Sequence, residues 1–96
     1  METGIELIAA ERNRQIEVEG RTSEHDDNVN APGSLPMAAA AYALGKTHLG
    51  EYTIWPWGMR WWKPGEGIEG RIRDHAKAGA LIAAEIDRLQ RMRSNT

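Results

Sequence analysis

The chain has 96 residues, no cysteine and a net charge of −2, with 41% apolar and 27% charged residues. That is one ordinary domain. It excludes a disulfide scaffold, a thiolate zinc site and a cysteine nucleophile. No apolar run approaches the roughly 18 residues of a membrane helix, so no membrane partner is expected. Met1-Glu2-Thr3-Gly4 lacks the basic stretch of a secretory signal, and a cytoplasmic location is expected.

The first helix is predicted over residues 3–19. Thr3 with Glu6 forms a capping box. Ile5, Ile8, Ala9, Arg12 and Ile16 fall on one stripe, and Gly20 suits the left-handed position after a helix. Residues 20–33 form a polar connector rich in Asn, Asp, Pro and Gly. A short second helix follows over 35–44, capped by Ser34 and closed by Gly45. Its centre, Ala38-Ala39-Ala40-Ala41, allows close backbone approach. Residues 46–69 read as an irregular loop with one extended stretch around Glu51-Tyr52-Thr53-Ile54-Trp55. The third and longest helix spans 70–92. Ile72, Ala76, Gly79, Ile82, Ala83, Ile86 and Leu89 line one face. Ala76, Gly79, Ala80 and Ala83 are expected to receive the alanines of the second helix. The expected architecture is an all-α, three-helix domain with a long Trp-rich loop packed against it, associating as a homo-oligomer.

Charge is unevenly placed. Residues 1–33 hold eight acids against three arginines, a balance of −5, and residues 46–96 hold nine bases against six acids, a balance of +3. Two readings stay open: the ends attract each other across the fold or a subunit contact, or the basic part offers a surface to an anion such as phosphate. DNA binding is not expected, because the overall charge is negative and the bases are not massed in one run.

The chain's four tryptophans, of six aromatic residues, fall in Trp55-Pro56-Trp57-Gly58-Met59-Arg60-Trp61-Trp62-Lys63-Pro64. Indole buries a large apolar area but carries an N–H that needs a partner. These rings either fill the core that alanine-rich helices leave empty or stack a flat ligand. Stacking is worth about 1–3 kcal/mol per base at known sites, and arginine forks suit a neighbouring phosphate. The candidate ligand-binding set is therefore Trp57, Trp61, Trp62, Arg60, Lys63 and Arg71, with Arg12, His25 and Asp26 added.

Two other constellations carry possible chemistry. Glu24-His25-Asp26-Asp27 offers metal-ligating or base chemistry, against ordinary turn hydrogen bonding. Glu11, Glu17, Glu19, Glu85 and Asp87 form acidic helix faces. All-helical MazG-type pyrophosphohydrolases bind magnesium through Glu-x-x-Glu and Glu-x-x-Asp on helices. Here Glu24-x-x-Asp27 and Glu66-x-x-Glu69 have that spacing, both in predicted loops. A metal-dependent nucleotide hydrolase using Glu11, Glu19, His25, Asp26 and Asp27 is the alternative class. No catalytic residue, cofactor or resident metal is assigned in the leading reading. A third class is an interaction module that docks an exposed Trp patch on a host protein.

Three stretches resemble a group of small phage and prophage proteins of unassigned role. They are Glu11-Arg12-Asn13-Arg14-Gln15 with Glu19-Gly20-Arg21-Thr22 and His25-Asp26-Asp27, then Trp55-Pro56-Trp57 with Trp61-Trp62-Lys63-Pro64, and finally 77–89. The resemblance implies a phage or prophage origin and a host-cytoplasmic location. Glu19-Gly20-Arg21-Thr22 with Asp26-Asp27 is also similar in part to the ryanodine-receptor repeat domain, with Arg21 where that domain has Trp. That similarity implies a nucleotide-like ligand. The leading expectation is a non-enzymatic phage accessory protein that captures a small anionic, nucleotide-derived host defence signal.

Overall fold

A computed structural model describes residues 1–20 and 32–94. In chain order the elements are α1 (Gly4–Glu17), α2 (Ser34–Leu44), β1 (His48–Leu49), β2 (Tyr52–Thr53), a 3-10 turn (Met59–Trp61) and α3 (Gly67–Ser94). The all-α expectation holds, with the Trp-rich segment packed near the helices.

α1 starts where the capping box places it. The Glu6 N–H donates to Thr3 Oγ1 at 3.2 Å, and the Thr3 N–H donates to Glu6 Oε1 at 2.9 Å. That reciprocal bonding lowers the Glu6 pKa. α2 differs at its start. Ser34 is the first helical residue, and Gly33 at φ 88° takes the cap position with no side-chain bond. Its end is as predicted, with Gly45 left-handed at φ 74° and donating to the Ala41 carbonyl.

The stretch from 46 to 69 is more ordered than its composition suggests. His48 pairs with Thr53 and Leu49 with Tyr52 in a minimal antiparallel hairpin. Gly50, at φ 59°, supplies the positive dihedral the turn requires. α3 begins three residues earlier than predicted, because Gly65 and Gly70 let the incoming loop lie directly on the first turn. A Cβ on Gly65 would stand 2.5 Å from the Gly70 Cα.

Both shorter helices pack on α3. α2 contributes Leu35, Ala38, Ala39, Ala41 and Tyr42 to a core completed by Ala78, Leu81 and Ala84 of α3 and by Trp55. The alanines of α2 therefore do not meet Gly79. That position receives Ile8 of α1, whose Cδ1 lies 2.5 Å from where a Gly79 Cβ would be. The α1 contact continues to Arg12, 3.9 Å from Asp87. It runs through Leu7, Ile8, Arg12, Gln15 and Ile16. Ile5 lies off it and is 82% exposed, whereas Gln15 is buried. The isoleucines predicted to line the buried face of α3 also remain outside, with Ile82, Ile86 and Leu89 between 41% and 50% exposed. Helix α3 turns its smaller residues to the core because α2 offers a surface of alanines, and only small side chains let the two backbones come together. The result is a slab of 43 × 38 × 20 Å.

The two close-packed glycines respond differently to an added methyl. Gly70→Ala drives Cβ into the Gly65 backbone, which cannot rotate away, and costs about 3 kcal/mol. Gly79→Ala meets only the Ile8 side chain and gains about 1 kcal/mol of helix propensity, so its net loss is smaller. Chemical denaturation of both variants checks this order.

Candidate functional site

The site region is the segment from Ile54 to Glu66, held against α2 and α3. Its centre is Trp55, 4% exposed. The Trp55 indole N–H donates to the Gly58 carbonyl at 3.1 Å, which satisfies the ring's one polar atom. Three aromatic rings surround it. Tyr42 lies edge-on at 5.5 Å, Trp57 edge-on at 5.3 Å and Trp62 at 5.0 Å. Tyr42 and Trp62 also meet, at 4.8 Å. These geometries match the ring quadrupoles, which favour tilted and edge-to-face contacts.

The chain leaving this cluster is tied down at successive residues. The Lys63 N–H donates to the Tyr42 hydroxyl at 3.3 Å. The Lys63 carbonyl accepts from Lys77 Nζ at 3.1 Å, and that same ammonium lies 5.0 Å over the Tyr42 ring. The Gly65 N–H donates to both carboxylate oxygens of Asp74, at 3.0 and 3.2 Å. Asp74 is 1% exposed, and Arg71 Nη1 stands 3.2 Å from its Oδ2. Arg71 also donates to the Tyr42 carbonyl at 3.2 Å and to the Ala43 carbonyl at 2.7 Å. It thereby caps the last turn of α2, where unpaired carbonyls favour a cation. A Cβ on Gly45 would stand 2.8 Å from Arg71 Nη1, so a side chain there would displace this guanidinium.

The predicted site residues separate into groups. Trp57 and Trp62 are half-buried members of the aromatic cluster. Trp61 is 56% exposed, and the Arg60 guanidinium carbon lies 4.8 Å from its ring centroid. The exposed Lys63 follows two residues on. Arg71 serves the α2 terminus and Asp74 and does not stand free beside Trp61. Arg12 lies at the α1–α3 contact beside Asp87. His25 and Asp26, like Glu24 and Asp27, fall outside the described residues. Among the described residues no group of three His, Cys, Asp or Glu side chains is placed to hold a metal. Glu11 and Glu19 of the alternative enzyme reading both bind Arg14, each at 2.7 Å.

Tyr42 and Asp74 organise the site without being among the candidate site residues, and Lys77, a basic neighbour of the Trp segment, does so as a packing cation. Tyr42 is the one aromatic in an alanine run, which is a signal of a packing partner. Asp74 would fall in the first turn of a helix starting at residue 70, but α3 starts at Gly67, so Asp74 lies two turns in and is buried. Lys77 belongs to the basic residues that accompany the Trp segment, and its ammonium turns to the Lys63 carbonyl and the Tyr42 ring.

A groove of about 660 Å³ lies elsewhere, between α1 and the first half of α3. Leu7, Ile8, Ile68, Ile72 and Ala76 line it, with Arg71 and His75 also contributing. None of the tryptophans does. No helix among the described residues is long and apolar enough to cross a membrane. No family model, curated protein or solved structure matches the chain.

The four indoles are energetically unlike. Trp55→Ala empties a packed site and costs about 3–5 kcal/mol, whereas Trp61→Ala falls within about 0.5 kcal/mol, as for other surface changes. Asp74→Ala removes the acceptor of Gly65 and Arg71 together and costs about 3 kcal/mol. Thermal melts followed by circular dichroism rank the three.

Proposed function

We propose that the chain is a non-enzymatic binding protein that captures a small, flat, anionic ligand of the nucleotide class on Trp61. One observation carries the reading: of the four indoles, Trp61 alone is exposed, and it already holds a guanidinium against its ring. A base stacks on the open part of the indole, and Arg60 supplies the planar fork for a phosphate. Lys63 adds a flexible point charge. Trp55, Trp57, Trp62 and Tyr42 act as the support that fixes the segment, so the ligand meets a preorganised platform. Arg71 acts through the backbone it anchors and not as a phosphate ligand. The resemblance to phage and prophage proteins favours sequestration of a nucleotide-derived host defence signal in the host cytoplasm.

The test is titration with nucleoside monophosphates and cyclic nucleotides, following Trp fluorescence and thermal stability. The expected result is quenching with a raised melting temperature. Trp61→Ala is expected to weaken binding by about 10-fold or more, as loss of one stacking contact implies, and Arg60→Ala to weaken binding while reducing its dependence on salt. No response to any of these nucleotides at millimolar concentration overturns the reading. A partner pulled from host lysate by the wild type and lost with Trp61→Ala would instead assign the patch to a protein.

A further inference from the structure

We propose that the α1–α3 groove and the apolar stripe on the second half of α3 form one self-complementary surface, which takes a second copy of this chain in antiparallel orientation. The groove is concave, about 660 Å³, and draws on Ile68, Ile72 and His75 of α3. Fourteen residues further along the same helix stand Ile82, Ile86 and Leu89. These are 41%, 50% and 49% exposed, and Met92 beyond them is 52% exposed. Fourteen residues are two heptads, so the two sets share one phase of the helix. The first set lies in a hollow because α1 rises beside it through Leu7 and Ile8. The second set forms a ridge.

A two-fold axis near the middle of α3 exchanges hollow and ridge. It seats the ridge of each copy in the groove of the other, which makes the same contact twice and closes the assembly. A parallel pair would lay ridge on ridge and leave both grooves open. Length also argues for a second α3. At 28 residues the helix is about 42 Å long, and a small molecule in the groove would leave the ridge uncovered. This contact is separate from Trp61 and does not depend on the ligand reading.

Sedimentation equilibrium of the full chain tests it, with a dimer expected at micromolar concentration. Ile86→Glu places an unpaired carboxylate in the contact and is expected to weaken association by about 100-fold or more, with helical content unchanged. Should that variant fail to fold, Leu89→Lys, near the exposed end of the stripe, makes the same test. Trp61→Ala is expected to leave association unaltered. The chain has no cysteine, so orientation is read from introduced thiols. A mixture of Ile72→Cys and Ile86→Cys chains is expected to cross-link on oxidation, and Ile86→Cys alone is not. A chain monomeric at submillimolar concentration, or a dimer indifferent to both charge substitutions, overturns the proposal. Self-cross-linking of Ile86→Cys overturns the antiparallel arrangement. A monomer whose groove takes up an apolar dye assigns the groove to a small ligand.

Discussion

The arrangement depends on one buried carboxylate. Asp74, 1% exposed, accepts from the Gly65 N–H and from Arg71, and Arg71 in turn holds the last carbonyls of α2. A carboxylate out of water is costly unless it is paired and hydrogen-bonded. Here it gathers three otherwise separate pieces: the first turns of α3, the C-terminal end of α2 and the chain returning from the tryptophan cluster. Its partners come from both sides of the 46–66 segment, so that segment is clamped at each end. The Gly65–Gly70 contact follows from this. Only with no side chain on either residue does the loop come close enough for its N–H to reach Asp74.

Within that clamp, volume decides what the aromatic residues do. α2 presents Ala38, Ala39 and Ala41 to Ala78 and Ala84, which brings backbones together but removes little apolar area from water. At about 25 cal/mol per Å², a few alanines stabilise a small domain poorly. Trp55 supplies the missing bulk, and Tyr42, Trp57 and Trp62 enclose it. The packing reading therefore holds for three of the four indoles. Trp61, at the end of the 3-10 turn, stays exposed with Arg60 over its ring.

How far the sequence was legible follows from the range of the interactions involved. The capping box at Thr3 and Glu6 and the left-handed Gly45 are local, and they stand as read. The three helices were legible because their periodicity is a property of each segment alone. The orientation of α3 was not. Its isoleucines form the more hydrophobic face, yet the core takes Asp74, Ala78, Leu81 and Ala84. That choice is made by the partner helix, whose alanines accept only a smooth surface, and the apolar pattern of one helix carries no knowledge of its partner. The role of Arg71 failed to appear for the same reason: its carbonyl partners are 28 and 29 residues away in sequence. Composition identified the tryptophan segment as the unusual feature, but the sorting of its rings into packed and exposed depends on Tyr42, supplied by another element.

The same packing choice explains why apolar surface remains outside. A slab 20 Å thick is scarcely two helices deep, so a helix lying along it cannot bury both of its faces within one chain. α3 buries its small face, because that is the face α2 fits, and this leaves the bulky face outward over the length of the helix. Monomeric soluble proteins rarely carry contiguous apolar patches of more than a few hundred Å². Scattered exposed leucines need no explanation, but Ile68, Ile82, Ile86 and Leu89 share one side of one helix at heptad spacing. Chance exposure has no reason to keep that period. Polar residues at these positions would leave the α2 contact untouched, so the stripe contributes nothing to the packing of α2 on α3, and it is on this surface that the proposed contact with a second copy rests.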